Sequence, residues 1–85
     1  MASNFRNQIY NLISEQLGVE KEKITPESYF AEDLNAGDLE MEELIAHIEE
    51  KLDIELDPER VKDIRTVDDL VHLVFDKLDG LLDED

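Results

Sequence analysis

Cysteine is absent from this chain of 85 residues, which excludes disulfides and thiolate zinc sites. No apolar run reaches the ~18 residues of a membrane span. The opening Met1-Ala2-Ser3-Asn4-Phe5-Arg6 lacks the basic-then-apolar order of a signal peptide. A cytoplasmic location is therefore the expectation. No Ser-His-Asp or Cys-His arrangement is visible, so the chain is not expected to be an enzyme. No alternating strand pattern and no internal repeat occur. Bases are scarce: eight stand against 24 acids, for a formal net charge of -16. Between Ile24 and Glu50 there is no lysine or arginine at all, while Glu27, Glu32, Asp33, Asp38, Glu40, Glu42, Glu43, Glu49 and Glu50 fall in that stretch. Such a field repels nucleic acid and anionic lipid and attracts basic protein surfaces.

What is present is helical periodicity. Phe5, Ile9, Leu12, Ile13 and Leu17 make one apolar stripe, with Ser3 or Asn4 as cap and Gly18 as stop, and predict a helix over 5–17. Met41, Leu44, Ile45, Ile48 and Leu52 predict a second over 38–52. Asp57-Pro58 is a helix start, opening a short helix over 58–64 that faces Val61 and Ile64 inward. Thr66 with Asp69 reads as a capping-box variant before Leu70, Val71, Val74, Phe75 and Leu78, which predict a last helix over 67–79 that stops at Gly80. Residues 81–85 are expected to fray. The segment from Val19 to Gly37 is interrupted by Pro26, Asn35 and Gly37, yet Ile24, Tyr29, Phe30 and Leu34 make it an ordered loop packed on the helices. The expected fold is one all-α domain over 1–85: a four-helix bundle of three longer helices and a short third, with a long loop between helices 1 and 2.

The segment Phe30-Ala31-Glu32-Asp33-Leu34-Asn35-Ala36-Gly37-Asp38-Leu39-Glu40-Met41-Glu42-Glu43-Leu44 resembles the signature of acyl carrier proteins, in which E-D-L-G-x-D-S-L leads into helix 2. Ile24-Thr25-Pro26, the run from Ile48 to Leu56 and the run from Ile64 to Leu70 resemble the family's flanking segments. The similarity extends from about Ile9 to Leu78 without gaps. It implies a chain that carries acyl groups on 4'-phosphopantetheine, esterified to a serine at the start of helix 2. At that position this sequence has Asp38, the preceding family aspartate is Gly37, and the family glycine two residues earlier is Asn35. A carboxylate gives only a labile acyl-phosphate anhydride, so no cofactor is expected. Asp38 is instead expected to cap the helix, at about 1 kcal/mol.

The resemblance also implies a docking surface on helix 2, made of Leu39, Glu40, Met41, Glu42, Glu43 and Glu49. Its expected partners are basic surfaces of synthase or transferase enzymes of a fatty-acid, polyketide or nonribosomal-peptide system. Two other readings stand beside it: a working acyl carrier with an atypical attachment route, and an acidic adaptor outside acyl metabolism. The chain is expected to be a monomer. No metal site is expected. His47, a residue at the edge of the apolar stripe, has no ligand set beside it, and the Asp33–Gly37 stretch lacks a calcium loop's glycine and final glutamate.

Overall fold

A computed structural model describes the backbone of residues 2–82 and the side chains of residues 5–78. Among these residues four α-helices make up the fold: α1 (Ala2–Leu17), α2 (Asp38–Leu52), α3 (Pro58–Val61) and α4 (Val67–Leu82), with a single 3-10 turn (Lys21–Lys23) in the long first loop. The fold is all-α. The core gathers one face of each long helix: Ile9, Leu12 and Ile13 from α1, Leu44, Ile45 and Ile48 from α2, and Val67, Leu70, Val71, Leu73 and Val74 from α4.

Several boundaries differ from those the periodicity predicts. α1 begins at Ala2, so Ser3 and Asn4 lie inside the helix rather than before it. α4 continues through Gly80 to Leu82, because a glycine inside a helix costs only about 1 kcal/mol and does not by itself end one. Residues 81 and 82 are thus helical, and the rest of the tail expected to fray lies outside the described residues. α3 stops at Val61 rather than at 64. Beyond it the N–H groups of Asp63 and Ile64 donate to the carbonyls of Arg60 and Val61, tighter i to i+3 turns that redirect the chain. Phe75 also departs from its stripe. It is half exposed and meets Phe5 with ring centroids 6.2 Å apart, at the edge of the core.

The first loop is built as a packed segment. It buries Ile24, Phe30, Leu34 and Ala36. Ser28, the buried polar residue, is satisfied locally: its hydroxyl accepts from the Thr25 N–H at 3.0 Å and pairs with the Thr25 hydroxyl at 3.1 Å. The loop is sewn to the start of α4. The Phe30 N–H donates to the Arg65 carbonyl, Val67 N–H to Ser28 and Asp68 N–H to Pro26, each at 3.0 Å, around an isolated bridge between Tyr29 and Thr66. This seam explains why α3 ends early: the chain must straighten at residues 64–66 to pair with the loop.

Candidate functional site

The loop delivers the chain to the start of α2 through one tight turn. The Asp33 carboxylate accepts from the Tyr29 N–H at 2.8 Å, and the Asp33 and Leu34 N–H groups return to the Tyr29 carbonyl. The turn closes at Asn35, whose φ of 57° is left-handed. Glycine is the residue that adopts this conformation freely and asparagine is a common substitute, so Asn35 stands where the backbone itself asks for glycine.

Gly37 is then the N-cap of α2, and Asp38 is the first helical residue. The sequence reading of Asp38 as the capping side chain is therefore corrected. The cap is made from the other direction: the Glu40 carboxylate accepts from the Gly37 N–H at 3.0 Å. Glycine has no side chain to reciprocate, so this is half of a capping box. Asp38 is left exposed, with its carboxylate at the positive end of the helix dipole.

The six residues expected to dock partners have different surroundings. Leu39, in the first turn of α2, is 63% exposed. Glu42 and Glu43 are exposed and Glu40 is exposed but engaged with Gly37. Met41 is half-buried against the core. Glu49 is half-buried, and its carboxylate accepts from the Leu56 N–H at 2.8 Å while its carbonyl accepts from the Ile54 N–H at 3.0 Å. It holds the α2–α3 loop in place, so its charge is partly spent inside the molecule. His47, expected at the apolar boundary, is instead exposed on α2. No cluster of metal-ligating side chains forms among the described residues.

The structure adds a cleft that the sequence did not announce. An opening of about 590 Å³ lies between α2 and α3. Met41, Ile45 and Ala46 form one wall, and Leu56, Pro58, Val61 and Ile64 the other. Asp38, Glu42 and Glu49 stand on its α2 side, and Lys62 on its α3 side. A second, smaller groove of about 380 Å³ contains Tyr29, Phe30 and Arg65 and shares Asp38, Met41 and Ile64 with the first. Asp38 thus borders both openings. The cleft is left open by the brevity of α3, since four residues cannot cover the flank of a helix of 15.

The start of α4 shows what a closed cap looks like. The Thr66 hydroxyl accepts from the Asp69 N–H at 3.1 Å, and the Asp69 carboxylate accepts from the N–H groups of Arg65 at 3.0 Å and Thr66 at 3.1 Å. The Arg65 and Thr66 N–H groups hold the Asp69 carboxyl below the usual carboxylate range.

Comparison with known proteins agrees with this geometry. Residues 7–74 match the family described as the phosphopantetheine attachment site. The chain is 36% identical over 76 residues to an acyl carrier protein of Thermosynechococcus vestitus, an alignment covering 89% of this chain and 94% of that protein. Proteins of this kind carry 4'-phosphopantetheine as prosthetic group and serve synthase enzymes as carriers rather than as catalysts. No described helix is long and apolar enough to cross a membrane. By the extent of both matches, the chain belongs to the acyl carrier protein family of phosphopantetheine-attachment domains.

Proposed function

We propose that this chain is a carrier-family protein without an arm at residue 38, which works by docking the acidic surface of α2 on basic patches of partner enzymes in a fatty-acid, polyketide or nonribosomal-peptide system. The observation that carries the reading is the first turn of α2. Gly37, Asp38, Leu39 and Glu40 present a carboxylate and no hydroxyl at the point where the family esterifies a serine. The family's phosphodiester requires a hydroxyl oxygen as nucleophile, so the residues present do not fit the prosthetic group there. Neither Ser28 nor Thr25 substitutes for it, since their hydroxyls are engaged with each other and Ser28 is buried. Docking is supported by what remains: exposed Leu39, Glu42 and Glu43, and a stretch of 27 residues from Ile24 to Glu50 without lysine or arginine.

Mass spectrometry after incubation with coenzyme A and a broad-specificity phosphopantetheinyl transferase tests the reading. The wild-type chain gains no stable adduct. Asp38→Ser, alone or with Gly37→Asp to return the family's acid before it, gains one phosphopantetheine. An adduct on the wild-type chain, stable to neutral hydroxylamine and mapped to any hydroxyl, would favour the atypical carrier instead.

A further inference from the structure

We infer that the first turn of α2 is a winding switch set from the turn at residues 64–66, through the peptide groups of Phe30 and Ala36. This rests on the docking function proposed above and adds a means of turning it on and off. A continuous run of hydrogen bonds joins the two helix starts. The Asp69 carboxylate holds the Arg65 and Thr66 N–H groups at 3.0 and 3.1 Å. The Arg65 carbonyl accepts from the Phe30 N–H at 3.0 Å, and the Phe30 carbonyl accepts from the Ala36 N–H at 2.8 Å. Ala36 directly precedes Gly37, the N-cap of α2. Phe30 thus spends both its peptide groups on the connection, and its side chain is fixed in the core. Residues 29–34 close on themselves: the Tyr29 carbonyl accepts from the Asp33 and Leu34 N–H groups, and the Asp33 carboxylate accepts from the Tyr29 N–H. The segment from Tyr29 to Ala36 therefore moves as one hook, hung from Arg65 and carrying the start of α2.

What the hook carries is weakly held. Gly37 gives α2 no side-chain cap, and no residue of the helix is buried before Leu44. Of residues 38–43 only Met41 is half-buried. A first turn held in this way opens at low cost and separately from the rest of its helix. With the hook seated, the Gly37 carbonyl accepts from the Met41 N–H at 2.9 Å and the turn is wound. With the hook displaced, that bond is lost, and Leu39 and Glu40 leave the docking face. The handle is Arg65, whose exposed side chain lines the smaller groove together with Asp38. A partner that grips Arg65 therefore shifts the balance between the wound and the open turn.

Amide hydrogen exchange, measured by NMR on the full chain, tests the switch from both ends. Asp69→Asn trades the charged acceptor for a neutral one and speeds exchange at Ala36 and Met41 by about five-fold or more. Val71→Ala, a core truncation on the same helix, lowers global stability and leaves those two amides as in wild type, because they open locally. Glu40→Ala frees the Gly37 N–H at the other end and speeds exchange at Phe30 and Arg65 by a similar factor, since coupling between two sites is reciprocal. Unchanged exchange at Ala36 and Met41 in Asp69→Asn, or at Phe30 and Arg65 in Glu40→Ala, overturns the switch. Equal acceleration of Ala36 and Met41 by Val71→Ala also overturns it, because those amides then follow global unfolding. No partner enters the measurement, so the switch and the docking function fail separately.

Discussion

At the start of α4, Thr66 and Asp69 exchange hydrogen bonds in both directions; at the start of α2, Glu40 reaches back to Gly37 and nothing is returned. The two helix starts follow the same long-range plan, since both come out of the packed loop and its seam. They differ in what they leave free. The start of α4 satisfies the Asp69 N–H with the Thr66 hydroxyl and the Val67 and Asp68 N–H groups with the loop carbonyls of Ser28 and Pro26, and joins the loop through the bridge to Tyr29. The start of α2 leaves its first-turn N–H groups without a side-chain cap and its first residue, Asp38, exposed between two grooves. One helix start is finished as structure, and the other is kept open toward solvent.

The largest effect is expected from breaking the finished start. Asp69→Ala strips an acceptor from two backbone N–H groups and should lower stability by about 1–2 kcal/mol in urea denaturation. The effect also carries a pH signature. The carboxyl of Asp69 is held below its ordinary range in the folded state by the Arg65 and Thr66 N–H groups. A group depressed in this way contributes stability above its unfolded pKa of about 3.9, and that contribution disappears as pH falls through the folded value. The gap between wild type and Asp69→Asn should therefore stay constant from neutral pH down to about pH 5 and close at lower pH. A gap that widens on acidification would contradict the assignment. Comparing the two proteins at each pH removes the general gain both receive as their surplus carboxylates are neutralised.

How much of this was legible in the sequence follows from the range of each interaction. The cap of α4 was readable because Thr66 and Asp69 are three residues apart, and its pattern is local. The stripes of α1 and α2 were readable for the same reason, since helical spacing repeats within a few residues. The cap of α2 was misread because an aspartate where a helix begins suits both the cap and the first helical position. Only the backbone of Gly37, with φ -82° and ψ -175°, separates the two. The early end of α3 depends on the seam between residues 28–30 and 65–67, a contact across more than thirty positions. The cleft depends on what α3 fails to cover, and the exposure of Phe75 and His47 on packing between elements rather than within one. None of these has a spacing rule.

A smaller effect is expected from completing the open start of α2. Gly37→Ser would supply the missing acceptor, and the extended backbone there suits any residue. The new Cβ meets the Glu40 Oε1 at 3.0 Å, so that flexible carboxylate must swing aside by a few tenths of an ångström. The balance, including the smaller entropy of the unfolded chain, should be a gain of about 0.5 kcal/mol. Loss of stability in thermal and urea unfolding would show that the Glu40 contact with Gly37 is worth more than a cap.

The smallest effect concerns Asp38. As the first helical residue it lacks the hydrogen-bonding duty of a cap, and its stabilising contribution comes from the helix dipole alone, about 0.3–1 kcal/mol at low salt. Asp38→Ser should therefore cost a few tenths of a kcal/mol at low ionic strength, and the difference should vanish near 1 M salt, where charges are screened within about 3 Å. A loss of 1 kcal/mol or more that persists in salt would mean the carboxylate caps the helix after all, and that the aspartate serves the fold. A loss that is small and screened separates the two roles. The fold would then tolerate a hydroxyl at 38 as readily as a carboxylate, and folding would give no reason for the acid. The reason would have to lie outside the molecule, in whatever meets the exposed end of α2 and the two grooves that Asp38 borders.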